Sequence, residues 1–511
     1  MNRLLTAIER QTRLNPQAIA IRSGDESLSY AQLSAAVKQA AICLRACRTK
    51  SLGIFLDNGI DWIVIDLAAM AAGIRVVPLP WFFSDAQIRH AVVNGAVDCL
   101  AYAGDLPSGI LGIGAPVKAY RNSWLQSLTT QEQAVVEDSP AAGKLSYTSG
   151  TTGSPKGIDL SYDFVGQTCD SISAVISDLA IETHLSILPY ATLLENIAGV
   201  YVPLMLGKTV YAESAACVGL SAELHLDPSI LQQTFNQILP DSLILTPQLL
   251  ELFCLLGENN AINPDCLKFV AVGGARVGES LMRRARRAGI PAYEGYGLTE
   301  FGSVAILNTP QNDRIGSVGK PLPGVSVTIA ADGEICLSTS LIRTDTDGLE
   351  RQQTIDVETG DFGSIDNDGF IYVQGRKSNL IVLASGRNVA PEWVETELNN
   401  SPLLAQSFVF SETGEELSAL LVAAGAGIAD SDLEAEIEAI NRGLPAYARI
   451  KKWHRMPYPF SLDNQMLTVN GRLRRLQIMQ LLPMLLASSR TLAPRNSGDS
   501  SQNSFKEIHP C

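Results

Sequence analysis

The chain has 511 residues, 46% hydrophobic and 18% charged, so it can bury ample apolar surface and is not disordered in bulk. At roughly 150 residues per domain, that length predicts about three cores, or one large composite domain with a satellite. Lysine and arginine total 39 against 53 acidic residues, and the net charge of −14 argues against nucleic acid or an anionic membrane as the main partner.

The N-terminal run MNRLLTAIERQTRLNP lacks the long apolar segment of a secretory signal. The most apolar stretch, WIVIDLAAMAAGIRVVPLP, carries Asp66 and Arg75, which predicts a buried helix followed by a strand rather than a membrane crossing. From about residue 18 to 375, short β-branched runs alternate with helical patterns. SLGIFLDN, IRVVPLP, VDCLAYAG, LILTP and LKFVAVGGA read as strands, and DWIVIDLAAMAAG, PQLLELFCLLG and GESLMRRARRAG as helices. The alternation predicts an α/β fold whose large N-terminal domain, residues 1–375, is built of parallel βαβ-type sheets. Ligands are then expected at the carboxyl ends of the strands. No GxGxxG fingerprint is present, which counts against a dinucleotide fold.

Beyond residue 375 the pattern changes. NLIVLASGRNVAPEWVETELNN, LSALLVAA and SDLEAEIEAINRGLP predict a small, mobile α+β C-terminal domain over residues 376–490. Residues 491–511 are rich in Ser, Pro, Asn and Gly and read as a disordered tail. Nine scattered cysteines with no C-x-x-C read as free thiols in a reducing compartment, so a cytoplasmic protein is expected.

The strongest chemical signal is YTSGTTGSPKG, Tyr147 to Gly157. Its eleven residues hold three glycines, three threonines, two serines and one lysine. Such a run offers backbone N–H groups, hydroxyls and the mobile cation of Lys156 to phosphate oxygens. It is not a Walker A loop, because Pro155 precedes the lysine and no Ser or Thr follows it. The bland alternative is a flexible polar hairpin.

YTSGTTGSPKG resembles the phosphate loop of the AMP-forming adenylating superfamily: acyl-CoA and aryl-CoA synthetases, adenylation domains and luciferases. VAVGGA (270–275), EGYGLTE (294–300), TGDFGSIDNDGFIYVQGRK (359–377), SGRNVAPEWVE (385–395) and LTVNGRLRR (467–475) are similar to further motifs of that superfamily, in order, over roughly residues 20–476. The resemblance implies activation of a carboxylic acid by attack on the α-phosphorus of ATP. That step brings two anions together, so cations and N–H donors must neutralise the developing charge.

It further implies site residues. Ser149, Thr151, Thr152 and Lys156 would hold the leaving phosphates, within a nucleotide-binding run that includes Thr148, Gly150 and Gly153. Tyr296 would stack on adenine beside the backbone of Gly274 and Ala275. Thr299 would contact the α-phosphate, and Glu300 would hold Mg²⁺. Asp361 suits the ribose hydroxyls because an ionised carboxylate only accepts hydrogen bonds, and Arg376 would sit near ribose and phosphate. Gly386 would let the arm of CoA, or of a phosphopantetheine carrier, pass close to backbone once the small domain rotates. Taken one at a time, Tyr296 could be a core aromatic, Glu300 a solvated acid, and Asp361–Arg376 an ordinary hairpin ion pair.

Two positions depart from the superfamily's pattern. Arg472 stands where a lysine usually bridges the carboxylate and the α-phosphate; it keeps the charge but is larger and directional, so adenylation is expected to be altered or slow. Ser378 stands at the hinge position, where Asp or Lys is usual, and can still absorb a backbone rotation. The segment ILPYATLLENIAGVYVPLMLG (187–207) is most similar to long-chain acyl-CoA synthetases, although Thr192 replaces their common histidine. The Phe-Asp pair of amino-acid-adenylating domains is absent between residues 185 and 200. A fatty or aryl acid is therefore expected.

Three readings follow: an acid–CoA ligase, an adenylating enzyme that loads an acyl carrier protein, and a nucleotide-binding homologue that no longer catalyses. A basic patch would favour the carrier protein, and RRARRAG (283–289) is a candidate, with an arginine-rich solvent face as its bland reading.

Overall fold

The computed structural model describes residues 3–104, 110, 118–121, 123–128, 142–148, 156–221, 226–344, 350–384, 386–461, 463–468, 471–488 and 490–492. The chain divides into two compact units, Met1–Ser378 with Ser461–Leu476, and Asn379–Phe460 with Gln477–Cys511.

Two large sheets carry the first unit. In the seven-stranded sheet, Cys99–Tyr102, Ser51–Phe55, Arg75–Pro78 and Gly143–Thr148 lie side by side and parallel, with antiparallel strands at both edges. In the nine-stranded sheet, five neighbouring pairs from Ala292–Tyr296 across to Ile19–Ser23 are parallel. Strands covered on both faces read as continuous apolar runs, and SLIL at Ser242–Leu245 and FVAV at Phe269–Val272 do so. The helix Ile60–Ala72 has ten of its thirteen residues buried, and it ends at Gly73 in the left-handed conformation (φ +70°). One apolar core joins this helix to residues of both sheets, including Ile54, Val76, Ile21 and Val210. All eight strands and helices expected by sequence in this region are present.

The βαβ alternation stops earlier than residue 375. Val325–Ile329, Glu334–Thr344, Glu350–Ile365 and Ile371–Arg376 form a separate antiparallel four-stranded sheet. Its cause is visible in the alternation of Ile335, Leu337 and Leu341 inward with Cys336, Ser338 and Ser340 less buried, the signature of a sheet covered on one face.

The second unit is α+β. Its sheet orders Leu404–Phe410, Leu417–Ala423, Ile450–Arg455 and Arg490–Leu492, and helices Pro391–Asn399 and Asp430–Gly443 contribute Val394, Leu398, Leu433 and Ile437 to its core. Two differences from expectation stand out. Residues 461–476, expected in the small domain, group with the first unit. Residues 491 and 492, expected in the tail, belong to the strand Arg490–Leu492, which pairs with Trp453–Arg455; residues 493–511 lie outside the described residues. No described helix is long and apolar enough to cross a membrane.

Candidate active site

The phosphate-loop residues Ser149, Gly150, Thr151, Thr152 and Gly153 lie outside the described residues. Their flanks are fixed: Gly143–Thr148 and Lys156–Ser161 are antiparallel neighbours in which Thr148 faces Lys156. The two ends of the loop therefore leave the sheet side by side, with Lys156 exposed.

The residues expected around the nucleotide come from three neighbouring elements. Phe269–Val272 runs into Gly273, Gly274 and Ala275, and Gly274 adopts φ +87°. A Cβ there would meet nothing within 4 Å, so backbone conformation rather than crowding calls for glycine. The next parallel strand, Ala292–Tyr296, ends on Tyr296. Gly297 follows in close contact: a Cβ would lie 2.0 Å from the Ser303 carbonyl oxygen, so no larger residue fits the turn. Thr299–Phe301 then forms a single 3₁₀ turn that holds Thr299 and Glu300, both half-buried.

Asp361 and Arg376 stand opposite one another in the antiparallel sheet. Arg376 Nε donates to Asp361 Oδ1 at 2.9 Å, and the Tyr296 hydroxyl donates to Oδ2 at 2.5 Å. Three of the expected residues, from two separate motifs, thus form one hydrogen-bonded set. Arg472 joins this neighbourhood from the segment 461–476, because its Nε donates to the carbonyl oxygen of Gly274. Gly386 belongs to the second unit, where it takes φ +73° and its N–H donates to Leu383 O at 2.8 Å. Among the described residues no group of three or more His, Cys, Asp or Glu side chains could hold a metal by itself.

Sequence reasoning missed several polar contacts near this face. Glu294 lies buried two residues before Tyr296 and accepts from the Val277 N–H at 3.2 Å; burial pushes its carboxyl up to about 8. The segment similar to long-chain synthetases contains a π-helix, Glu195–Tyr201, a departure from α-geometry often found at functional sites. Its Glu195 pairs with His184 Nε2 at 3.0 Å, and His184 Nδ1 meets the Ser242 hydroxyl at 3.0 Å. Gly199 leaves room for that pair, since a Cβ would come within 2.2 Å of Glu195 Oε1. The arginine-rich helix Glu279–Arg287 follows its bland reading. Arg284 grips Glu258 through two 2.7 Å bonds, and Arg286 pairs with Asp313 at 2.9 Å while lying over the Tyr293 ring.

The AMP-binding enzyme family matches residues 8–339, and the AMP-binding enzyme C-terminal domain matches residues 378–481. The chain belongs to the AMP-binding enzyme family. Among curated relatives it is 28% identical to the long-chain-fatty-acid–CoA ligase FadD15 of Mycobacterium tuberculosis, over 83% of this chain and 85% of that protein. It is 26% identical to the fatty acid–[acyl-carrier-protein] ligase MmaC of Mycobacterium marinum, over 84% and 88%. The o-succinylbenzoate CoA synthetase MenE of Bacillus subtilis, solved in complex with ATP and magnesium ion, shares the fold with a TM-score of 0.71 at 22% identity, over 93% of this chain and 99% of that one. Members of the AMP-binding enzyme family thus extend across both units of this chain.

Proposed function

We propose that this protein is an AMP-forming acid–thiol ligase that activates a fatty or aryl carboxylic acid with ATP and passes the acyl group to CoA. The observation that carries the reading is the convergence of Tyr296, Asp361, Arg376 and Arg472 around the Gly273–Gly274–Ala275 turn. In the first half-reaction a carboxylate oxygen attacks the α-phosphorus of ATP and the bond to pyrophosphate breaks. In the second, the thiol sulfur attacks the acyl carbon, loses its proton and expels AMP.

The donors and acceptors suit a nucleoside triphosphate. An ionised carboxylate only accepts hydrogen bonds and has about four acceptor positions, which suits Asp361 to ribose hydroxyls alongside the bonds from Arg376 and Tyr296. Lys156 and the hydroxyl-bearing loop would meet the departing phosphates, and Thr299 the α-phosphate. Arg472 would place positive charge between the two anions. Magnesium would neutralise phosphate charge when bound, with Glu300 as its protein contact; one carboxylate plus substrate oxygens is a usual arrangement for that ion. Gly386 would serve the thiol arm in the second half-reaction. Eight described cysteines are free thiols, in keeping with work in the cytoplasm.

A second reading, in which an acyl carrier protein replaces CoA, is supported by the relative MmaC. Pyrophosphate release from ATP and Mg²⁺ across C2 to C16 and aryl acids, with and without CoA, decides between them. Acid-dependent release that CoA accelerates, with acyl-CoA seen by mass spectrometry, is the expected result. One equivalent that CoA cannot turn over would point to the carrier, and ATP binding without release would point to a homologue silenced at Arg472. Lys156→Ala should lower pyrophosphate-forming turnover by about a hundredfold, the scale on which a preorganised charge contact acts; unchanged turnover would remove Lys156 from the site.

A further inference from the structure

A hairpin carries Arg472. Leu467 bridges to Leu473, the Thr468 N–H donates to Arg472 O at 2.7 Å, and the Gly471 N–H donates back to Thr468 O at 2.8 Å. The Arg472 N–H closes on the Thr468 hydroxyl at 3.1 Å, and the Arg474 N–H on Met466 O at 2.8 Å. These bonds set the shape of the hairpin, but none of them ties it to the parallel sheet.

Two bonds do. One is Arg472 Nε to Gly274 O. The other runs from Gln248 Nε2 to Gly471 O at 3.2 Å. Gln248 stands in the first turn of the helix Pro247–Glu258, which follows the strand Ser242–Leu245 at its carboxyl end, beside the Gly274 turn of the next strand. The helix does not need Gln248 for its cap, because the Thr246 hydroxyl accepts from the Leu249 N–H. Gln248 is exposed and packs into no core. The fit to Gly471 is nonetheless close: Gly471 has φ +71°, and a Cβ there would lie 2.1 Å from Gln248 Nε2.

We propose that Gln248 is a positioning residue for the acid-activating step, a latch that holds the Gly471–Arg472 backbone so that the guanidinium stays at the Gly274 turn. The inference rests on the ligase reading and deepens it. A lysine at position 472 is a flexible point charge, whereas an arginine must be aimed, because its donors form a fixed fork. A grip on the residue immediately before Arg472 supplies that aim. The latch acts through Arg472 and only while the hairpin is seated; attack of the thiol on a preformed acyl-adenylate does not use it.

The test uses the full chain with Gln248→Ala and Arg472→Ala, singly and combined, and measures three quantities. The first is single-turnover pyrophosphate release, the second thiolysis of isolated acyl-adenylate by CoA, and the third hydrogen exchange of the amides from 467 to 474. Gln248→Ala should slow pyrophosphate release about tenfold, the rate equivalent of one neutral hydrogen bond, with thiolysis and melting temperature unchanged. In the Arg472→Ala background the same change should have no further effect, and hairpin amides should exchange faster in Gln248→Ala. Equal losses in both half-reactions, a full additional loss in the Arg472→Ala background, or unchanged exchange would each overturn the latch. A wild-type protein that binds ATP but forms no acyl-adenylate would count against the ligase reading, while the exchange arm would still judge the latch.

Discussion

Two acid–base pairs in the first unit are chemically alike and physically opposite. Lys144 and Asp66 are wholly buried, 2.5 Å apart, at the core between the seven-stranded sheet and the helix Ile60–Ala72. Every exposed face is closed: Tyr201 and Asn196 of the π-helix donate to the other carboxylate oxygen, and the Lys144 ammonium lies over the Trp62 and Tyr201 rings. Arg376 and Asp361 form the other pair, at the candidate nucleotide face, where the arginine side chain keeps 43% of its exposure and the aspartate 8%. The first pair is wholly enclosed by protein. The second stays partly open to solvent, and an open pair beside a glycine turn is what a ligand can reach. A buried ion pair is weak evidence for a site; a half-open one that also holds Tyr296, at the end of a parallel strand, is stronger.

Breaking the closed pair should have the largest effect. Burial draws the Lys144 ammonium below its usual pKa, and Asp66 opposes that shift. Lys144→Met should destabilise the fold by about 3–5 kcal/mol, because it strands a buried carboxylate. The double variant Lys144→Met with Asp66→Asn should recover most of that loss, since Asn still accepts from Tyr201 and carries no charge. Urea unfolding of both variants measures the difference, and a single-variant loss under about 1 kcal/mol would contradict the closed-pair account.

Glu294 sharpens the comparison, because it is a buried carboxyl that forms no ion pair among the described residues. Burial raises its pKa from 4.5 to about 8, with the Val277 N–H and the charge of Arg276 acting in the other direction. The folded state therefore holds a proton that the unfolded state releases above pH 4.5. Its contribution to stability is complete below about pH 4.5, falls by roughly 1.4 kcal/mol per pH unit above it, and stops changing once pH passes about 8. Glu294→Gln should flatten that slope. Unfolding free energies of wild type and variant at pH 5, 6, 7 and 8 are the measurement, and parallel curves would show that Glu294 ionises freely.

Much of this was legible in the sequence, for identifiable reasons. The parallel strands and their helices were readable because double burial writes itself as apolar runs such as SLIL and FVAV. Tyr296, Asp361 and Arg376 were each placed by motif, and they meet in space. What the motifs could not convey was contact across the chain. Gln248 lies 223 residues from Gly471, and Lys144 lies 78 from Asp66; no local period links such partners. The antiparallel sheet from Val325 to Arg376 was missed because its two central strands, Glu334–Thr344 and Glu350–Ile365, are long and mostly polar and lack the apolar runs of the parallel strands. The return of residues 461–476 to the first unit was missed because a boundary read from composition assumes that a domain is continuous.

The open pair should give the smallest effect on stability and a specific effect on function. Asp361→Asn leaves Arg376 without its ionic partner, but that guanidinium is already nearly half exposed and can be rehydrated. The loss in folding free energy should stay within about 1 kcal/mol, the range of solvent-screened pairs. The amide can still accept one bond from Arg376 or Tyr296, but its NH₂ end repels the ribose hydroxyl donors that a carboxylate would accept. The KM for ATP should rise about tenfold or more, with a smaller change in the KM for the acid. If stability and ATP dependence changed in the reverse proportion, Asp361 would be doing the work of Asp66, and the half-open pair would be a structural hairpin contact after all.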